Sequence, residues 1–201
     1  MALFKQKVPL PGLIRTLLAG MIKKGRFGTD DPDLGHLNLE AMDPSEALSQ
    51  EERARLMKEL PIFIVAAQFF EFLDLGQHGR LRFDLEEFGR TYAIALAFAF
   101  SDSGLSDEQA QERAEEYFDV IFDYLDALEG AEEVGLAQHE VCYHASRHFQ
   151  ERVLGEQLGF DREDREGWVE RWATVSSIAD QTHRNIAEAT AEILKNVRPV
   201  M

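Results

Sequence analysis

The residues best suited to chemistry lie in one run, His139-Glu-Val-Cys-Tyr-His144-Ala-Ser-Arg-His148-Phe-Gln-Glu151. At 100° per residue on a helix, Glu140, His144, His148 and Glu151 share one face about a quarter of a turn wide. Two histidines at i, i+4 are a workable pair of ligands for a first-row transition metal, and flanking carboxylates complete or orient such a site. The opposite face, Cys142, Ala145, Phe149 and Val153, is apolar and reads as the core side of that helix. The four candidate ligands therefore point away from the helix's own core unless a neighbour covers them. The plainer reading is a solvated face supported by Glu–His pairs.

Other chemistry finds less support. Ferritin-like di-iron bundles place Glu-x-x-His on each of two helices. The chain has no such motif; near patterns are Glu140-x-x-x-His144 and Asp180-Gln-Thr-His183, and His183 reads as a helix–helix contact. Phe70-Glu-Phe-Leu-Asp74, followed by Gly79, Leu81, Phe83, Glu86, Glu87 and Phe88, resembles the outline of an EF-hand. Counted from Asp74, the positions that need oxygen ligands hold Gly76, His78 and Leu85, so calcium binding is not expected. The start of that outline recurs at Phe122-Asp-Tyr-Leu-Asp126, which reads as two related helix–loop–helix halves. No Gly-x-Ser-x-Gly, Gly-x-x-x-x-Gly-Lys or Gly-x-Gly-x-x-Gly is present, and Cys142 reads as a small core residue. The balance leans away from an enzyme.

The elements that must position these residues read as helices. Leu10, Leu13, Ile14, Leu17, Leu18, Met21 and Ile22 form one apolar stripe, with Arg15, Lys23 and Lys24 off it and Gly25 and Gly28 as stops. Residues 29–48 read as a connector. Ser49-Gln-Glu-Glu52 is a capping-box pattern, opening a helix in which Pro61 is expected to kink the chain or start a new segment. From Ile62 to Phe70 only Gln68 is polar, so burial on most sides is expected. Asp84-Leu-Glu-Glu87 leads into Tyr92–Phe100, apolar all round and expected at the centre of the fold. Ser106-Asp-Glu-Gln109 opens a helix with Phe118, Ile121, Phe122 and Leu125 facing in and Asp119, Asp123 and Asp126 facing out. A fifth helix reads from about Gly135 to Leu154. The last runs from about Asp161 to Asn196 with a heptad-like stripe of Trp168, Trp172, Val175, Ala179, Thr182, Ile186, Ala189 and Ile193, and its length implies that it projects or kinks near Ser176-Ser177. No strand pattern stands out. The expectation is an all-α, single-domain bundle of about five to seven helices: a basic helix or arm over 1–28, the connector, and a bundle over 49–201.

Composition bounds the function. The chain has 201 residues, 45% of them apolar, and one cysteine, so neither disorder nor a disulfide framework is indicated. A net charge of −16 argues against nucleic acid as a partner. The charge is uneven, with six basic residues and no acid in 1–28. Proline and charge break up that early apolar stretch, and no apolar run reaches the roughly 20 residues of a spanning helix. The sequence therefore reads as a soluble, cytoplasmic protein. The leading expectation is a non-catalytic interaction or adaptor protein. The N-terminal stripe is by default docked on the chain's own acidic body. Freed from it, Leu13, Ile14, Arg15, Leu17, Leu18, Met21, Lys23 and Lys24 would engage a protein partner or an anionic membrane surface, while Trp168 and Trp172 would engage a partner, a second copy of the chain being preferred. No cofactor is expected in that reading. The alternative is a metal- or cofactor-binding bundle built on Glu140, His144, His148 and Glu151, with a first-row transition metal.

Overall fold

Three helix starts read from the sequence are made by the side chains themselves. Ser49 N donates to Glu52 Oε2 at 2.7 Å while Glu52 N donates to Ser49 Oγ at 3.2 Å, a reciprocal capping box. Asp84 Oδ1 accepts from Glu87 N at 3.0 Å. Ser106 and Gln109 repeat the reciprocal arrangement at 3.2 and 3.3 Å. These pairs satisfy amides that the first turn of a helix leaves without partners.

The computed structural model describes residues 6–24, 47–77, 81–132, 141–155 and 165–200. Among them are six helices: α1 (Leu10–Lys24), α2 (Gln50–Gln77), α3 (Leu85–Asp102), α4 (Asp107–Glu132), α5 (Val141–Leu154) and α6 (Arg165–Asn196). The chain is an all-α bundle of the expected size. The connector at 29–46, Gly25, Gly28, Glu140 and the start expected for the fifth helix lie outside the described residues, as do the side chains of Met21, Lys23, Lys24, Cys142 and His144.

One element was not expected. β1 (Gln6–Pro9) pairs in parallel with β2 (Val197–Val200), in register from Gln6 against Val197 to Pro9 against Val200. Each strand is four residues long and contains a proline, so neither has a local signature. The pairing ties the entry to α1 to the exit from α6, and α6 does not end as a free projection. Leu194 packs on the core near its end, and the buried line of α6 runs through Val175, Ile178, Ala179, Thr182, Ile186 and Thr190. Ala189, read from the heptad as part of that stripe, is exposed. The seam follows the 3.6-residue period of a straight helix and drifts off the 3.5-residue repeat.

The centre of the bundle is α2. Every residue from Glu59 to Phe70 is buried, and the helix continues through Pro61. α2 packs on α5, α6 and α4, and α3 lies between α1 and α4. Phe63 is surrounded by Phe149, His183 and Tyr124 with ring centroids 4.3, 5.1 and 5.9 Å away. Farther along, Phe69 meets Phe88, Tyr92 and Phe118. The Tyr92 hydroxyl donates to Val65 O at 2.8 Å, filling its polar need inside the core.

Two side-chain assignments are corrected by this packing. The segment Tyr92–Phe100 is not enclosed on all sides: Ile94 is 58% exposed and Phe98 50%. Phe122, expected to face in, is 52% exposed, and the buried line of α4 is Ala110, Ala114, Tyr117, Ile121 and Tyr124. Asp119, Asp123 and Asp126 face out as expected.

Candidate functional site

The histidine face of α5 is the first place to look. His148 is half-buried, its ring edge-on to Tyr124 with centroids 4.7 Å apart. Its Nδ1 lies 4.0 Å from Glu151 Oε2, beyond hydrogen-bond distance, and its Nε2 is buried without a partner among the described residues. Burial lowers its pKa, and Arg152 adds to the effect. The neighbouring carboxylates already have cations. Arg152 Nε donates to the buried Glu59 at 2.6 Å and its Nη1 to Asp123 at 3.4 Å, while Arg147 Nε donates to Glu151 at 3.3 Å. Among the described residues no three His, Cys, Asp or Glu side chains converge as metal ligands would. Of the four residues the sequence groups there, Glu140 lies outside the described residues, as does the side chain of His144. His148 and Glu151 are neighbours on one helix. His183 sits on α6 against Phe63, and burial lowers its pKa to about 4.

The described part of the α1 apolar stripe, read as partner-binding, is turned inward. Leu13, Ile14 and Leu18 of α1 are buried, Leu17 is half-buried, and the helix packs on α3. Arg15 faces out and grips Asp102 at the end of α3, with Nε and Nη2 donating to its two carboxylate oxygens at 2.8 and 2.7 Å. That fork holds the Asp102 carboxyl below the ordinary aspartate range. Trp168 and Trp172 stack at 6.2 Å, both half-buried.

An open apolar groove runs between α3 and α4, with a volume of about 500 Å³. Ala93, Ile94, Ala97 and Phe98 of α3 form one wall, and Ala110, Ala114 and Phe118 of α4 the other. The alanines keep the floor low where bulkier residues would have filled it. Phe122, one turn past Phe118 and 5.3 Å from it ring to ring, extends the apolar surface along α4. The rim is acidic: Asp107, Glu115 and Asp119 line it. At the α1 side the Arg15 guanidinium stands 4.8 Å over the Phe98 ring. Sequence reasoning missed this site. Its one visible signal was that α3 is apolar all round, which periodicity alone cannot separate into covered and uncovered sides.

Among the described residues the titratable groups lining the groove are the carboxylates Asp107, Glu115 and Asp119, and the Ser101 hydroxyl donates to Asp107 at 3.0 Å. What it offers is apolar area and negative charge. Among the described residues no helix is long and apolar enough to cross a membrane. No protein family, curated protein or solved structure matches the chain.

Proposed function

We propose that this chain is a non-catalytic helical interaction protein, and that the α3–α4 groove is where it accepts a helix from a protein partner. One observation carries the reading. Ile94, Phe98 and Phe122 keep half or more of their surface in water, around a groove already walled by Ala97, Ala114 and Phe118. Single exposed apolar residues are ordinary, as with Met57 on α2 and Val169 on α6. Several gathered on two adjoining helices around one concavity fit a helix-in-groove recognition mode. Covering the remaining surface of a half-exposed Ile or Phe contributes about 1 kcal/mol each. In this reading α1 and α6 act mainly as scaffold, α1 by bracing α3 from its far side.

The test is a panning of helical peptide libraries on the full chain, with subtraction on Phe98→Asp and Phe122→Asp. The reading expects sequences with apolar residues at i, i+3 or i+4, and i+7 to be enriched on wild type and lost on both variants. Equal recovery from wild type and variants would place binding elsewhere and refute it.

A further inference from the structure

Building on the groove reading, we infer that its occupant is a basic amphipathic helix, anchored by apolar residues on Ile94, Phe98 and Phe122 and held by lysines or arginines against the acidic rim of α4. Charge complementarity selects this occupant. α4 carries ten acidic residues and one arginine, and Arg113 is taken by Glu116 at 2.9 Å. Of the three rim acids, Asp107 accepts from Ser101 at 3.0 Å and Glu115 from Gln111 at 2.9 Å. None of the three has a cationic partner among the described residues. The cation beside the groove, Arg15, is already neutralised by Asp102. A ligand lying here meets uncompensated negative charge along one long side, which favours cations and repels anions.

The same charge argues against the chain's own candidates. A second copy seated face to face would set one acidic rim against another, on a molecule already at −16. The internal segments 25–46, 133–140 and 156–164 are each net acidic and are poor counterparts for this rim. The wall from Asp107 to Phe122 spans roughly 22 Å at the helical rise, so a complementary helix needs about 15 residues. Its anchors recur at i, i+3 or i+4, and i+7, with basic residues flanking them on the α4 side.

The experiment titrates three fluorescently labelled model helices of about 18 residues, or five turns, into the full chain. All share one leucine stripe; their polar positions are lysine, glutamine or glutamate. The inference expects the Leu/Lys helix to bind best, the Leu/Gln helix roughly tenfold more weakly, and the Leu/Glu helix not at all. Glu115→Lys combined with Asp119→Lys should weaken the Leu/Lys helix by roughly tenfold, and so should raising salt from about 0.05 to about 0.5 M. Phe98→Asp and, independently, Phe122→Asp should abolish binding, each checked for native helix content. Equal binding of the Leu/Lys and Leu/Gln helices would overturn the charge inference and leave the groove reading standing. Undiminished binding of the Leu/Lys helix to both aspartate variants would mean mere adhesion to an acidic surface, and would overturn the inference. Failure of all three helices would sink the groove reading as well. A dimer in sedimentation that Phe98→Asp dissociates would make a second copy the occupant and overturn the basic-helix assignment.

Discussion

Two faces of α4 carry opposite arrangements. Toward α2 and α5, Tyr124 and Asp123 meet His148, Arg152 and Glu59, and most of the charged groups have a partner. Toward α3, Phe118 and Ala114 face Ile94, Ala97 and Phe98 across the groove, Phe122 extends that surface along α4, and Ile94, Phe98 and Phe122 keep half or more of their area in water. The first face is rich in residue types that do chemistry, yet its Glu59 and Asp123 carboxylates both accept from Arg152. The second is walled mainly by apolar side chains, and it is the one left open. Residue type alone does not mark an open surface: the face richer in ionisable groups is the more fully paired of the two.

The strongest way to break the comparison is at Arg152. Replacing it with methionine strands the Glu59 carboxylate in the bundle, and breaking a buried ion pair by removing one partner is costly. We expect a loss of about 3 kcal/mol in urea denaturation, at the low end of what a buried pair gives because the Arg152 side chain keeps 26% of its exposure. Adding Glu59→Gln should recover part of that loss. A loss below about 0.5 kcal/mol, the range of an ordinary surface change, would show the polar face to be as dispensable as a solvated surface.

Next in size is a pH effect. His183 is held neutral by burial, with its pKa lowered to about 4 from an unfolded value of 6.5. Between those values the unfolded chain binds more protons than the native one, so stability is full above about pH 6.5 and falls as pH drops toward 4. The lowered pKa of His148 adds in the same direction. Between pH 7 and 5 His183 alone should remove about 2 kcal/mol. His183→Leu should flatten that part of the profile; an unchanged slope would contradict the burial argument.

A smaller effect is expected at the end of α5. Gly155 has φ +72°, in the left-handed region that favours glycine, and an added Cβ would lie 3.1 Å from the Arg55 guanidinium. That guanidinium donates to Val153 O at 2.6 Å and Leu154 O at 3.1 Å, capping the last carbonyls of the helix. Gly155→Ala should cost about 1–2 kcal/mol, through both backbone strain and displacement of Arg55. A melting curve superimposable on wild type would contradict this.

How far the sequence foretold each region follows from the range of the interactions. The caps at Ser49, Asp84 and Ser106 were legible because their partners are three residues away. The all-α class was legible from helical periodicity. The β1–β2 pairing was not, since it joins the two ends of the chain through four-residue strands with no local pattern. The groove was illegible for a different reason. An apolar stretch such as Tyr92–Phe100 says that burial is favourable, but which side a neighbour covers depends on where α1 and α4 come to rest. Phe122 was assigned to the core for the same reason: the turn of α4 that holds it carries apolar residues on both Tyr124 and Phe118 sides. The histidine face was legible as a spacing, but its neutralisation by Arg152 depends on Glu59 and Asp123 from two other helices.

The smallest expected effect sharpens the comparison most. Ile94→Gln and Phe122→Gln should change stability by less than about 0.5 kcal/mol, because half or more of each side chain is already in water. A loss of several kcal/mol would mean that these residues are core and that the groove is closed in solution.

Methyl chemical-shift mapping of the full chain with the Leu/Lys helix would locate the binding surface residue by residue. We expect the shifted signals to be the methyls of Ile94, Ala93, Ala97, Ala110 and Ala114, with Ile14, Ile178 and Ile186 unmoved. Shifts confined to Ile14 or to the α6 methyls would contradict this expectation, and would return the binding surface to α1 or α6.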